Sequence, residues 1–134
     1  MSAWLIDTNI VSEIMRRKPD PSVEQWCLKE GAFHISVITI DEITFGLTKK
    51  SLDTKVKWFE DFLSNRCDIL PATASIAHRA GQIRGQLATK GKPRSQADML
   101  IAATAWAHDL TLATRNTRDF ERTGIALFNP FDAS

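Results

Sequence analysis

Cysteine is scarce in this chain: 134 residues include two, Cys27 and Cys67. They form no CxxC pair and stand alone in segments that read as a helix and a strand, which argues against a disulfide framework or a zinc site and suits reduced, buried thiols. Long apolar runs are missing too. No stretch of about 18 apolar residues occurs, and the N-terminus has no charged stretch leading into an apolar one, so neither a membrane span nor a secretory leader is expected and the protein reads as cytoplasmic. Charge of one sign is also lacking. Seventeen Lys plus Arg stand against sixteen Asp plus Glu, a net charge of +1, so any contact with nucleic acid has to come from local patches rather than an overall field. There is no internal repeat and no low-complexity linker, and the six Gly and five Pro are scattered singly, which points to one domain spanning residues 1–134. What is present is an ordinary globular composition, 43% hydrophobic and 25% charged, in a chain long enough to bury a core without cross-links.

The pattern along the chain alternates between short apolar runs and helical spacing. Ala3 to Ile6 reads as a strand that stops at Asp7, and Ile10, Val11, Ile14 and Met15 then recur as a helical stripe. Val23, Trp26 and Cys27 suggest a second short helix. Phe33 to Val37 reads as a strand followed by a helix carrying Ile40, Ile43 and Leu47. Val56, Phe59 and Leu63 mark another helix, Cys67 to Leu70 a strand ended by Pro71, and Ile76, Ala80, Ile83 and Leu87 a long amphipathic helix closed by Gly91-Lys92-Pro93. Met99 to Ala107 is apolar nearly all round, as in a helix packed between other elements. Leu110 to Thr114 and Ile125 to Phe128 read as the last strands. Strands alternating with helices predict an α/β sandwich on a mainly parallel sheet, whose ligand sites lie beyond the carboxyl ends of the strands.

Four acidic residues fall at such places. Asp7 ends the first strand, Glu42 lies in the first turn of the helix after Val37, Asp98 opens the apolar helix, and Asp119 follows the strand ending at Thr114. Carboxylates packed together repel one another and are costly to keep ionised without cations among them. An all-oxygen cluster suits Mg²⁺ or Mn²⁺, whereas zinc would want His or Cys. Each acid also has a purely structural explanation. Thr39 with Glu42, and Ser95 with Asp98, have the form of capping boxes, Asp7 can cap the helix beginning near Thr8, and Asp119 can be a turn residue. Asp41, next to Glu42, points about 100° away on a helix and is expected to face solvent.

The words around the acids separate these alternatives. Leu5-Ile6-Asp7-Thr8-Asn9-Ile10, Ser36 to Glu42 running on to Phe45-Gly46, Ala97-Asp98-Met99-Leu100-Ile101-Ala102-Ala103, and Thr114-Arg115-Asn116-Thr117-Arg118-Asp119-Phe120 occur in that order. Together they resemble the PIN-domain family, in particular toxins of the VapC and FitB type, over nearly the whole chain. The final Asn129-Pro130-Phe131 is similar to the ending of the FitB-like branch. The resemblance implies a PIN-like three-layer sandwich with a sheet of about five strands and a metal site of Asp7, Glu42, Asp98 and Asp119. Asn9, Thr114 and Asn116 would be supporting polar residues. It also implies Mg²⁺-assisted hydrolysis of RNA to 5′-phosphate and 3′-hydroxyl products. The partners implied are a cognate VapB/FitA-type antitoxin that blocks the site, a second copy of the toxin in a homodimer, and operator DNA bound through the antitoxin.

Among the basic residues, Arg94, Arg115 and Arg118 stand near the acids in sequence and are the expected RNA contacts, whereas Arg16-Arg17-Lys18, Lys49-Lys50, Lys90, Lys92 and Arg122 fit ordinary solvated positions. His34, His78 and His108 lie far apart and fit structural roles. Trp4, Trp26, Trp58 and Trp106 sit in apolar patterns that suit core or subunit contacts better than base stacking. Two rivals remain at this level. A haloacid-dehalogenase-like phosphatase also uses an Asp after its first strand, but wants a second Asp where this chain has Asn9. A PIN-derived nucleic-acid-binding module without catalysis would have no need of four intact carboxylates.

Overall fold

A computed structural model describes residues 3–132. Among these residues five strands, β1 (Trp4–Ile6), β2 (Phe33–Ser36), β3 (Cys67–Leu70), β4 (Thr111–Ala113) and β5 (Leu127–Phe128), form one sheet in the order β3-β2-β1-β4-β5. Every pairing is parallel, so the mainly parallel sheet expected from the sequence is wholly so. The helices are α1 (Thr8–Ile14), α2 (Pro21–Glu30), α3 (Val37–Lys49), α4 (Asp53–Arg66), α5 (Ala74–Thr89) and α6 (Gln96–His108), with 3₁₀ turns at Thr117–Phe120 and Pro130–Asp132.

Successive strand residues point to opposite faces, and each face carries its own core. Ile6, Phe33, Ile35 and Ala113 pack with Ile10, Val11, Val23, Trp26, Ile43, Leu47, Phe59 and Phe62 from α1 to α4. Leu5 and Leu112 pack on the other face with Ile76, Ile83, Leu87, Met99 and Ile101 from α5 and α6. Helix α2 is bounded by local chemistry: the Asp20 carboxylate accepts the N–H groups of Ser22 and Val23, Pro21 takes the first helical position, and Gly31 ends it at φ 78°, the usual asymmetry of Pro at the start and Gly at the end. Helix α6 buries Met99 and every residue from Ile101 to Ala105, because it lies between α5 and the sheet.

One local expectation is overturned. The strand β2 ends at Ser36 rather than Val37, and the Ser36 hydroxyl caps α3 by accepting the Ile38 N–H at 3.0 Å. Thr39 is therefore not the cap but the third residue of the helix, fully buried, and Glu42 lies in the second turn, outside any capping box. The run Val37-Ile38-Thr39-Ile40 has strand-like propensity. The Ser36 cap and the burial of Thr39, Ile43 and Leu47 along one stripe outweigh it. At α6 the expectation holds: the Ser95 Oγ accepts the Asp98 N–H at 3.0 Å.

The connectivity decides where a site can form. From β1 the chain steps outward through β2 to β3, then crosses back to place β4 on the other side of β1. The crevice between the carboxyl ends of β1 and β4 is thus the topological switch point of the sheet. Helix α6 leads directly into β4, so it runs antiparallel to the strands and brings its N-terminal turn to the same edge.

Candidate active site

Asp7 leaves β1 at the switch point and is only 4% exposed. Its Oδ1 accepts the Thr8 N–H at 2.8 Å, which makes it the N-cap of α1. Its Oδ2 accepts the Thr114 hydroxyl at 2.8 Å and the Asn9 amide at 3.1 Å. Thr114, fully buried at the end of β4, also accepts the Asn116 N–H at 3.0 Å, and the Asn9 Oδ1 accepts the Arg115 N–H at 3.1 Å. Asn9 and Thr114 thus tie the two sides of the switch point together around one carboxylate. On the β2 side, the Thr8 hydroxyl donates to Glu42 Oε1 at 2.7 Å and lies 3.2 Å from the Thr39 hydroxyl.

These groups open into a cleft of about 520 Å³ lined by Asp7, Glu42 and Asp98 together with Asn9, Arg115 and Asn116. Thr8, Ser12, Glu13 and Arg16 complete the lining. Asp119 does not line it; it sits half-buried in the 3₁₀ turn Thr117–Phe120, near enough for its charge to act on Asp98. Burial pushes the Asp7 carboxyl up to about 6 from 3.8, and the charges of Asp98 and Glu42 push the same way against the hydrogen bonds from Thr114 and Thr8. Asp98 is also raised, first by burial and then by Asp119 and Glu42, while the Ser95 hydrogen bond and Arg94 oppose the rise. The cleft thus gathers four carboxylates, Asp7, Glu13, Glu42 and Asp98, against the guanidinium groups of Arg16 and Arg115. Among the described residues no three Asp, Glu, His or Cys side chains close into a ready-made ion cage.

The PIN-domain family model matches residues 4–126. The chain belongs to the PIN-domain family. Among characterised PIN relatives it is 36% identical to the tRNA(fMet)-specific endonuclease VapC of Shigella flexneri, over 92% of this chain and 94% of that protein. It is 35% identical to toxin FitB of Neisseria gonorrhoeae, over 95% and 97%. Its fold is similar to the DNA-bound VapBC structure from Salmonella typhimurium, with a TM-score of 0.85 at 30% identity covering 97% of this chain and 99% of that one. The FitAB structure bound to an IR36 DNA fragment aligns with a TM-score of 0.81 at 33% identity, covering 98% and 97%.

Of the polar residues expected in this PIN domain, Asn9, Thr114 and Asn116 all stand around Asp7. Of the expected RNA contacts, Arg115 reaches the cleft, its guanidinium 4.6 Å above the Phe131 ring. Arg94 instead donates its Nε to the Asp119 carbonyl at 2.9 Å, bracing the 3₁₀ turn, and Arg118 is exposed and outside the cleft. None of the three histidines lines it. Thr8 and Glu13 were not expected at the site, Thr39 was expected only as a helix cap, and Arg16 only as a solvated residue. Thr8 could have been found as the hydroxyl between Asp7 and Asn9. Glu13 and Arg16 follow Asn9 by four and seven residues, the spacing of one helical face, so the periodicity of α1 was the signal that could have placed them beside it. Glu13 is 6% exposed, accepts the Asp20 N–H at 2.8 Å and pairs with Arg16 at 3.3 Å, so it holds the α1–α2 connection against the rim.

Proposed function

We propose that this chain is the ribonuclease toxin of a toxin–antitoxin pair, hydrolysing RNA phosphodiester bonds at Asp7, Glu42 and Asp98, with Asp119 behind them, using Mg²⁺, or Mn²⁺ in its place. The observation that carries the reading is the convergence of Asp7, Glu42 and Asp98 on one acidic cleft at the switch point of a PIN-domain sheet. The donor set is entirely oxygen, which suits Mg²⁺. That ion commonly takes one or two carboxylates and keeps several waters, so it needs no preformed cage of three acids. When bound, it supplies a water of lowered pKa and positive charge for the leaving oxygen.

The protein's own side chains supply position. Thr114, Asn9 and the Thr8 N–H hold both oxygens of Asp7. The Thr8 hydroxyl holds Glu42, and the Ser95 cap fixes the turn that carries Asp98. Asp119 acts at one remove, through its charge on Asp98. Arg115 and Arg16 line the same cleft and can contact phosphates beside the scissile one. Similarity to relatives solved as DNA-bound VapBC and FitAB complexes supports a VapB/FitA-type antitoxin as partner; a second toxin subunit and operator DNA reached through the antitoxin belong to the same proposal. The working compartment is the cytoplasm.

Purified protein incubated with single-stranded RNA tests the reading. Mg²⁺ should support cleavage to 5′-phosphate ends, EDTA should stop it, and Mg²⁺ should raise the melting temperature of the wild type more than that of Asp98→Asn. Full activity in EDTA or in Asp98→Asn would overturn the proposed site. RNA binding without cleavage under every metal would favour the binding module, and release of phosphate from small monoesters without RNA cleavage would favour the phosphatase.

A further inference from the structure

We propose that the acidic cleft continues into a second slot that seats a nucleotide of single-stranded RNA next to the scissile phosphate, with Lys50 and Lys55 on the adjoining phosphates. This rests on the ribonuclease reading and assigns part of its substrate path. The slot, about 220 Å³, lies between α1, α3 and the start of α4. It shares Thr8, Ser12 and Glu42 with the acidic cleft, so the two are continuous. Met15, Ile43, Leu47 and Leu52 give it apolar walls, and Lys50 and Lys55 stand at it.

Three observations point to a polyanion with an apolar face. The first is charge. Among the described residues Lys57 is paired with Asp61 and Arg16 with Glu13, while Lys49 sits over the Phe45 ring. Lys50 and Lys55 have no anionic partner among the described residues. The second is continuity: Arg16 and Arg115 line the acidic cleft and the two lysines line the slot, so cations are found in both parts of the path, with Glu42 shared between them. The third is Gly46. It lines the slot from within α3 at an ordinary helical φ, and a Cβ built there meets nothing within 4 Å. Glycine inside a helix is unfavourable relative to alanine, and here no close neighbour demands it; what it does is leave the slot open. An apolar protein side chain would fill such a slot without using two ammonium groups. A nucleotide uses both features, base on the apolar wall and phosphates on the lysines.

The experiment pairs cleavage kinetics with binding of a fluorescent 12-nucleotide single-stranded RNA, measured by anisotropy in an Asp98→Asn background with Mg²⁺. Replacing both Lys50→Gln and Lys55→Gln should weaken binding on the order of tenfold at about 0.1 M salt and lower the slope of log K against log salt by about 1.4, the value for two lost single-strand phosphate contacts. In the otherwise native enzyme, KM should rise while kcat changes less than about twofold. Gly46→Leu should raise KM likewise without lowering the melting temperature. Lys57→Gln, on the same helix but facing Asp61, should change neither. Unaltered salt slope and KM in the double lysine variant would overturn the slot even if Gly46→Leu failed to fold. A wild type that cuts RNA alongside wild-type-like variants sinks the slot alone, whereas a wild type that neither binds nor cuts RNA sinks the ribonuclease reading with it.

Discussion

At the scale of single residues the proposed chemistry turns on Asp7, whose carboxyl burial pushes up to about 6 from 3.8. Between those values the folded state binds a proton that the unfolded chain has released, so the stability contributed by protonated Asp7 is lost as pH rises through this window. The loss approaches about 3 kcal/mol above it. In EDTA at about pH 7.5, Asp7→Asn should therefore melt no lower than the wild type, and the two should converge near pH 4.5, where the wild-type carboxyl is protonated. Mg²⁺ should stabilise the wild type more at the higher pH, since binding competes with that proton. An Asp7→Asn protein melting well below wild type at neutral pH in EDTA would mean that the Thr8, Asn9 and Thr114 hydrogen bonds outweigh the burial cost. Glu42 behaves differently, being exposed and outside any cap. Glu42→Gln should alter stability by less than about 0.5 kcal/mol while reducing cleavage by orders of magnitude; wild-type turnover at saturating Mg²⁺ would remove Glu42 from the site.

At the scale of elements, α3 and α6 do the positioning. Ser36 both ends β2 and caps α3, and its side chain is fully buried. Ser36→Ala should cost about 1 to 2 kcal/mol, visible as a lower melting temperature, and should fray the first turn from which Thr39 reaches toward Thr8. Helix α6 is pressed between α5 and the sheet with Ala102, Ala103 and Ala105 completely buried. Ala103→Leu has no space to enter and should destabilise by about 1 to 3 kcal/mol or more, with activity falling beyond the folded fraction because α6 also carries Asp98. Unchanged melting in that variant would show slack in the α6 packing.

At the scale of the whole molecule, two separate hydrophobic cores hold the sheet from both faces, and neither contains the acidic cleft. Chelation should therefore abolish cleavage while leaving the far-ultraviolet circular dichroism spectrum unchanged; loss of helix signal in EDTA would identify the metal as structural. No helix among the described residues is long and apolar enough to cross a membrane. The net charge of +1 supplies no long-range attraction for RNA, so on the proposed function capture of RNA would fall to the few cations that line the clefts.

The apolar periodicity by itself determined the order of strands and helices, because burial on a strand or a helix face has a fixed repeat that needs no partner to be recognised. Ser95 before Asp98 and Asp7 before Thr8 were legible as caps for the same local reason. The limit came where two local rules conflicted. At Val37-Ile38-Thr39-Ile40, β-branched propensity extended a strand that Ser36 in fact ends, and Thr39 was read as a cap although it is the buried third residue of α3. Only the tertiary structure decided that β4 returns beside β1, and with it that Thr114, 107 residues along the chain, donates to Asp7. Sheet order, helix tilt and the burial that moves the Asp7 carboxyl arise from contacts between distant segments. For that reason Lys50 and Lys55, ordinary charges in sequence, came to line one slot once α1, α3 and α4 were packed together.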